Sequence, residues 1–358
     1  MQGAIPNRSY IEINLKNLES NVRKIKASLP SDCAYVCIVK ADAYGHCMPQ
    51  SLMRFLSGGA DYFAVANIYE ASRVRELVLT KPILVLSPIL ASERRLVFDY
   101  GACPAVSNEA ECDDFDKLAK ERNTVLPVHI KIDTGMGRVG VWHTQAVDFI
   151  KKVQSYKNLK IAGVFTHLSC ADCDADYTEK QLDIFRKIVL NFPERKDWLV
   201  HAHASAGLVF FKKGDVFNAV RMGLLQYGIV PNPEMQKMDV FPVMSFKARV
   251  SAVGESNGKK IAAISAGYAD GVPADFTKDA VVLIGGKKCP VIGEVSLDET
   301  YADVSALPDV KNGDEVVFIG NQGSESIDLH SYSLWTRRIP WETMVSIPTR
   351  VARILITK

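Results

Sequence analysis

Long apolar runs are missing from this 358-residue chain: no stretch approaches the roughly 18 residues that a membrane-spanning helix needs. An excess of one charge is missing too. Lysine and arginine number 43 against 41 aspartates and glutamates, a formal charge of +2, which is too weak a field to gather nucleic acid or an anionic membrane. A small molecule is therefore the expected partner. The N-terminus, Met1-Gln2-Gly3-Ala4-Ile5-Pro6, has no charged region followed by an apolar one, so neither a signal peptide nor an anchor is expected. Nor is there a disulfide pattern. The eight cysteines, at 33, 37, 47, 103, 112, 170, 173 and 289, lie mostly inside apolar segments, as reduced thiols of a cytoplasmic protein do. His167, Cys170 and Cys173 have the spacing of zinc ligands, but a second cysteine pair is lacking and Asp172 and Asp174 crowd the segment, so no metal site is expected.

What is present is an ordinary globular composition, 47% hydrophobic and 23% charged. The first helix places Leu15, Leu18, Val22, Ile25 and Leu29 on one face with polar residues opposite. Short β-rich runs then alternate with amphipathic segments. One run ends at Lys40, and others cover 62–66, 82–86, 103–106, 126–132, 161–166, 198–203 and 217–220. Eight strands alternating with helices predict an α/β fold, a (β/α)8 TIM barrel, with a domain of residues 1–235. After Pro231-Asn232-Pro233 the apolar period falls to two. Residues 236–358 are thus expected to form a smaller all-β C-terminal domain, with strands at 244–252, 260–266, 280–284, 289–295 and 314–319, a Gly285-Gly286 hairpin and one short helix near 329–337.

Such barrels carry their chemistry at the C-terminal ends of the strands. Lys40 follows the apolar run Tyr35-Val36-Cys37-Ile38-Val39 and precedes Ala41-Asp42-Ala43-Tyr44-Gly45-His46. An ammonium there is desolvated, which lowers its pKa and frees amine for a Schiff base with a carbonyl. On the same rim fall Tyr44, Arg138, His167, His201, Ser205, Arg221, Gly223 and Leu224. Hydroxyls from Tyr44 and Ser205 and amides at Gly223 and Leu224 suit a phosphate monoester. An amine beside a phosphate cradle is what pyridoxal phosphate (PLP) requires.

The motifs VKADAYGH (39–46), HIKIDTGMGRVG (129–140), GVFTHLSCAD (163–172), RMGLLQYG (221–228), GYADG (267–271) and SIPTRVARI (346–354) appear in an order that resembles the alanine racemase family of PLP enzymes over nearly the whole chain. The resemblance implies an amino-acid racemase acting on alanine. It also implies a head-to-tail homodimer in which each active site is completed by the partner's β domain. Lys40 would then be the Schiff-base lysine and one acid/base. Tyr44, Ser205, Gly223 and Leu224 would hold phosphate, with Trp341 at a position that touches it. Arg221, backed by His201, would face the pyridine nitrogen, and Arg138 would reach the cofactor phenolate and the substrate carboxylate. Lys131 matches a position carbamylated in some members, and Tyr268, Leu297 and Asp298 match the substrate entrance and wall. An arginine cannot usefully protonate the ring nitrogen, which favours proton exchange at Cα over elimination.

The chain also departs from the family. A tyrosine-bearing loop that supplies the second acid/base is expected after strand 244–252, but Val253-Gly254-Glu255-Ser256-Asn257-Gly258-Lys259 runs directly into the next strand. The family's Cys-Met-Asp-Gln run reads Ser296-Leu297-Asp298-Glu299, the residue before Ser205 is Ala204 rather than Asn, and Trp341 replaces a tyrosine. His167 and Tyr268 are then the candidates for the face opposite Lys40, His167 because an imidazole suits general-base work. Three chemistries follow: alanine racemisation with a displaced second base, one-base PLP cleavage of β-hydroxy amino acids, and PLP binding without catalysis.

Overall fold

Eight parallel strands alternate with helices through residues 18–240. In the computed structural model, which describes residues 7–234, 237–276 and 279–357, they are β1 (Ala34–Ile38), β2 (Tyr62–Val65), β3 (Ile83–Val85), β4 (Ala102–Val106), β5 (Leu126–Asp133), β6 (Leu159–Phe165), β7 (Leu199–His201) and β8 (Ala219–Met222). They hydrogen-bond in the order β8-β1-β2-β3-β4-β5-β6-β7. The seam between β7 and β8 is joined by Asn218 N donating to Val200 O (3.1 Å) and Arg221 N donating to His203 O (2.8 Å). This is the expected (β/α)8 barrel. Its strands are apolar on both faces, with Tyr35, Val36 and Cys37 all buried, because the barrel interior covers one face and a helix the other. Helices begin where an Asn or Asp side chain accepts from the third residue on: Asn67 before Ile68–Leu77, Asn108 before Glu109–Glu121, Asp174 before Ala175–Val189.

After β1 the chain does something rarer. Ala41, Asp42, Ala43 and Tyr44 have φ of 53°, 54°, 56° and 54°, a left-handed helical turn built without glycine. Each such residue costs roughly 1–2 kcal/mol. The turn is held by Ala43 N donating to Val39 O (3.0 Å), by Glu70 Oε1 accepting from Ala41 N (2.7 Å) and by Asp42 Oδ1 accepting from Met48 N (3.0 Å).

The second unit gathers the described residues up to Asn17, then 44–47 and those from Phe241 onward. The expected division at 235/236 does not separate its N-terminal part from the barrel. The strand Ser9–Asn14 is no part of the barrel: it pairs antiparallel with Met244–Ser256 and parallel with Ala352–Ile356. The expected boundary at 235/236 lies outside the described residues, as does the N-terminal hexapeptide. The strands Lys259–Ile264, Val281–Ile284, Lys287–Ile292 and Glu315–Gln322 fall near the expected positions, while Thr300–Asp303 and Glu325–Ile327 are not among those expected. Met244–Ser256 turns into Lys259–Ile264 through Asn257-Gly258 alone (φ 52° and 74°), with Ser256 facing Lys259. A two-residue turn with both φ positive matches strand twist, and it leaves no room for an intervening loop. The short helix near 329–337 is Leu329–Trp335, and a second helix, Pro340–Ser346, follows it. No described helix is long and apolar enough to cross a membrane.

Candidate active site

The barrel rim is assembled from strand ends. Ile38 O, at the end of β1, accepts from Gln226 Nε2 and Tyr227 Oη (2.8 Å each), and Val39 N donates to Ala64 O (2.9 Å). Lys40 therefore emerges from a backbone clamped on both sides. Burial, then the neighbouring Arg138 guanidinium, push its pKa below the usual lysine value, against the opposing pull of Glu70.

β5 carries His129, Lys131 and Asp133, two residues apart and hence on one face. Lys131 is pushed down to about 8 by burial, then by Arg138, Arg221 and Lys40. Burial alone would raise the Asp133 carboxyl, but amides of Gly135, Arg138, Gly137 and Met136 overcome it and hold the carboxyl below its ordinary value. Oδ1 accepts from Gly135 N (2.9 Å) and Gly137 N (3.1 Å), and Oδ2 from Arg138 N (2.9 Å), so one buried carboxylate shapes the loop that presents Arg138. Tyr177 Oη donates to Gly135 O (2.7 Å); a Cβ on Gly135, whose φ is 132°, would lie 2.5 Å from that hydroxyl.

Arg221 lies at the centre. Its Nη1 donates to His201 Nδ1 (2.8 Å) and His201 O (3.1 Å), and its Nη2 to Thr166 O (2.7 Å) and Ala202 O (2.9 Å). Nη2 also lies 3.2 Å from His167 Nδ1, a third and longer contact shared by its two N–H groups. Burial pulls this guanidinium down to about 9. Phe165 stacks on His201 (centroids 4.9 Å apart, planes at 3°), with Arg221 and Lys131 over its ring. Ser205 Oγ accepts from Gly223 N (3.1 Å) and Leu225 N (3.2 Å), which brings a hydroxyl and the backbone amides flanking Leu224 to one point beyond β8.

His167 is the expected candidate for general-base work opposite Lys40. His167 is pushed down to about 3 by burial, then by Arg221, Arg138, Lys131 and Lys40. It is neutral at pH 7, and because a guanidinium only donates, its Nδ1 is the acceptor and its proton sits on Nε2. In that tautomer its Nδ1 lone pair faces Arg221 and its Nε2 offers a proton.

The β-rich unit holds the other expected residues. Tyr268 N donates to Ser296 O and Ala269 N to Leu297 O (3.0 Å each), and a Cβ on Gly267 would lie 2.4 Å from Ser296 O, so the GYADG turn sits directly on the segment 296–298. Tyr268 and Leu297 are each 51% exposed. Asp298 does not stand free: Arg350 bridges its Oδ1 (3.0 Å) to the buried Asp270 Oδ1 (3.2 Å). Trp341 lies half-buried on Pro340–Ser346, and Tyr44 groups with this unit through the left-handed turn. Sequence reasoning missed His129, Glu70, Gln226 and Arg350, although His129 opens the HIKIDTG motif two residues before Lys131.

Two family descriptions match the chain, "Alanine racemase, N-terminal domain" over residues 13–231 and "Alanine racemase, C-terminal domain" over residues 243–355. An alanine racemase of Halothermothrix orenii is 36% identical over 99% of this chain and 98% of its own length. The crystal structure of alanine racemase from Bacillus anthracis with bound L-Ala-P superposes with a TM-score of 0.89 at 29% identity, covering 99% of this chain and 97% of that one. Alanine racemase from Bartonella henselae with covalently bound pyridoxal phosphate superposes with a TM-score of 0.88 at 26% identity, covering 98% of this chain and 100% of that one.

Proposed function

The chain belongs to the alanine racemase family, and from that premise we infer that it catalyses the PLP-dependent interconversion of L- and D-alanine. The observation that carries this reading is the meeting, on one barrel rim, of a lysine whose pKa is lowered, a buried arginine and a hydroxyl–amide cradle. These residues fit PLP: Lys40 offers an amine, Ser205, Gly223, Leu224 and Tyr44 offer phosphate donors, and Arg221 offers a cation that cannot protonate a pyridine nitrogen. Bound there, PLP makes the Cα hydrogen of an attached amino acid acidic.

The chain's own groups do the rest. Lys40 exchanges a proton with Cα on one face, helped by burial that keeps part of its amine free. Arg138, fixed by Asp133, orients the substrate carboxylate. Lys131, at about 8, has close to a tenth of its amine free at pH 7 and is the group on which a carbamate would form to steady Arg138. His167 donates through Nε2 while its Nδ1 accepts from Arg221. The cleavage reading needs an available lone pair on His167, and in this tautomer the one on Nδ1 faces Arg221.

For the opposite face we assign Tyr268. The hairpin at Asn257-Gly258 lacks the family's tyrosine, and Tyr268 presents an exposed side chain beside Leu297. On the family resemblance Leu297 and Asp298 would form the substrate wall with it, and Trp341 would serve the phosphate. The assignment includes a homodimer in which the β-rich unit of one subunit serves the site of the other, in the cytoplasm, where the eight free thiols stay reduced.

The experiment is incubation of the purified protein with single alanine enantiomers in D2O. Deuterium at Cα in both enantiomers is the expected result. Exchange with full retention means that one base acts alone and removes Tyr268 from the mechanism; no exchange removes the racemase reading.

A further inference from the structure

Behind His201 lies a third histidine that the reaction does not call on. His129 Nδ1 is 3.0 Å from His201 Nε2, with both rings buried and set edge to face at 5.2 Å. The donor in this pair follows from its far end. Arg221 Nη1 lies 2.8 Å from His201 Nδ1, and a guanidinium has no acceptor, so His201 Nδ1 must be unprotonated. An imidazole keeps at least one proton at neutral pH, so that of His201 is on Nε2. It points at His129, whose Nδ1 is then the acceptor and whose own proton is on Nε2. Burial, then Arg221, hold both rings in the neutral form.

The place His129 occupies is specific. Gly163 is its partner across β5 and β6, and a Cβ on Gly163 would lie 2.4 Å from His129 Cε1 and 2.6 Å from Nδ1. Any larger residue would push the ring off His201. The need is for space alone, since Gly163 is not among the glycines of positive φ.

We propose that His129 is a positioning residue: its Nδ1 lone pair keeps the His201 proton on Nε2, so that His201 always offers an unprotonated Nδ1 to Arg221 and fixes the guanidinium plane. The tautomers stand on geometry alone. Their consequence, a correctly aimed cation at the cofactor ring, rests on the function proposed above.

The test is imidazole 15N–1H correlation spectroscopy on histidine-labelled protein without cofactor; with seven histidines, each can be assigned by substitution. His129 and His201 are expected as Nε2–H tautomers. In His129→Leu the His201 signals should shift and broaden as its proton loses an acceptor, and kcat/KM should fall about tenfold, the value of one hydrogen bond of about 1.4 kcal/mol. In His129→Asn, whose amide oxygen can take the place of Nδ1, both should return to within about threefold of the parent. An Nδ1-protonated His201 in the parent, a His201 spectrum unmoved by His129→Leu, or an Asn variant no better than Leu overturns the proposal. If His129→Leu does not fold, the parent spectrum decides alone. Cofactor attachment at Lys40, read by borohydride fixation, is independent of these outcomes and tests the PLP reading separately.

Discussion

Exchanging Glu70 for glutamine separates two things that its carboxylate does. Oε1 accepts from Ala41 N at 2.7 Å and Oε2 from Ala66 N at 2.8 Å. An amide has one oxygen, so in Glu70→Gln one of these N–H groups faces another donor. Losing an acceptor of this kind costs about 1.5–3 kcal/mol. Ala41 begins the left-handed turn, whose four residues already carry roughly 1–2 kcal/mol of strain each, so the loss falls on the segment least able to absorb it. A displaced Lys40 lowers kcat/KM by about 10- to 100-fold. The second effect is electrostatic. Glu70 raises the Lys40 pKa while burial and Arg138 lower it, so glutamine leaves Lys40 lower still. The acid limb of the pH–rate profile, which requires free amine, moves to lower pH. The assay is steady-state racemisation of alanine across pH in the parent, Glu70→Gln and Glu70→Asp. A limb that stays in place or moves up in Glu70→Gln would refute the electrostatic argument, and a parent-like kcat/KM would refute the hold on the turn.

Lys131 binds its proton less tightly folded, at about 8, than unfolded, at 10.5. Between those values the unfolded chain holds more protons and stability rises with pH; denaturant midpoints across that window should climb in the parent and climb less in Lys131→Met, and equal slopes would remove Lys131 as the source. Arg350→Leu removes the cation from buried Asp270, which keeps Ser9 Oγ and Gly267 N as donors, and should cost about 2 kcal/mol, a value reduced from that of a fully buried pair because Arg350 is 44% exposed; a thermal midpoint unchanged within error counts against the bridge. Lengthening the Asn257-Gly258 turn to a family-length loop with its Tyr-Gly should raise alanine racemisation about 10²-fold or more if the second acid/base is limiting. A graft that folds and gives the parent rate shows that Tyr268, or another group, already suffices.

The barrel was legible because parallel strands covered on both faces read as unbroken apolar runs, and because their polar residues fall at strand ends. The strand Ser9–Asn14 was not. Its alternating Ile11 and Ile13 are visible, but its partner is Phe246, 235 positions along from Ile11 as the paired numbers show, and periodicity does not name partners. The left-handed turn at 41–44 carries no glycine, so the usual residue signal for positive φ is missing. His167 follows directly on β6, yet its protonation depends on burial and on four cations drawn from the turn after β1, from β5, from the loop after β5 and from β8, which only folding brings together. His129 reads in sequence like any core histidine, since nothing local says what its Nδ1 meets.

The two backbone bonds that close the barrel between β7 and β8 are a thin seam, and Arg221 reinforces it. Its guanidinium takes the carbonyls of Thr166, His201 and Ala202, so a single side chain ties the ends of β6, β7 and β8 together where the ladder runs out. Those three carbonyls are buried in the same step that aims the cation. A lysine there would keep a charge but not a planar fork with five donors, and the freed carbonyls would be left at the joint of the barrel. On the function proposed above, ring chemistry and part of the barrel closure thus share one residue, and drift at position 221 is barred twice: a variant selected for a different electronic demand at the cofactor must also restore its share of the seam.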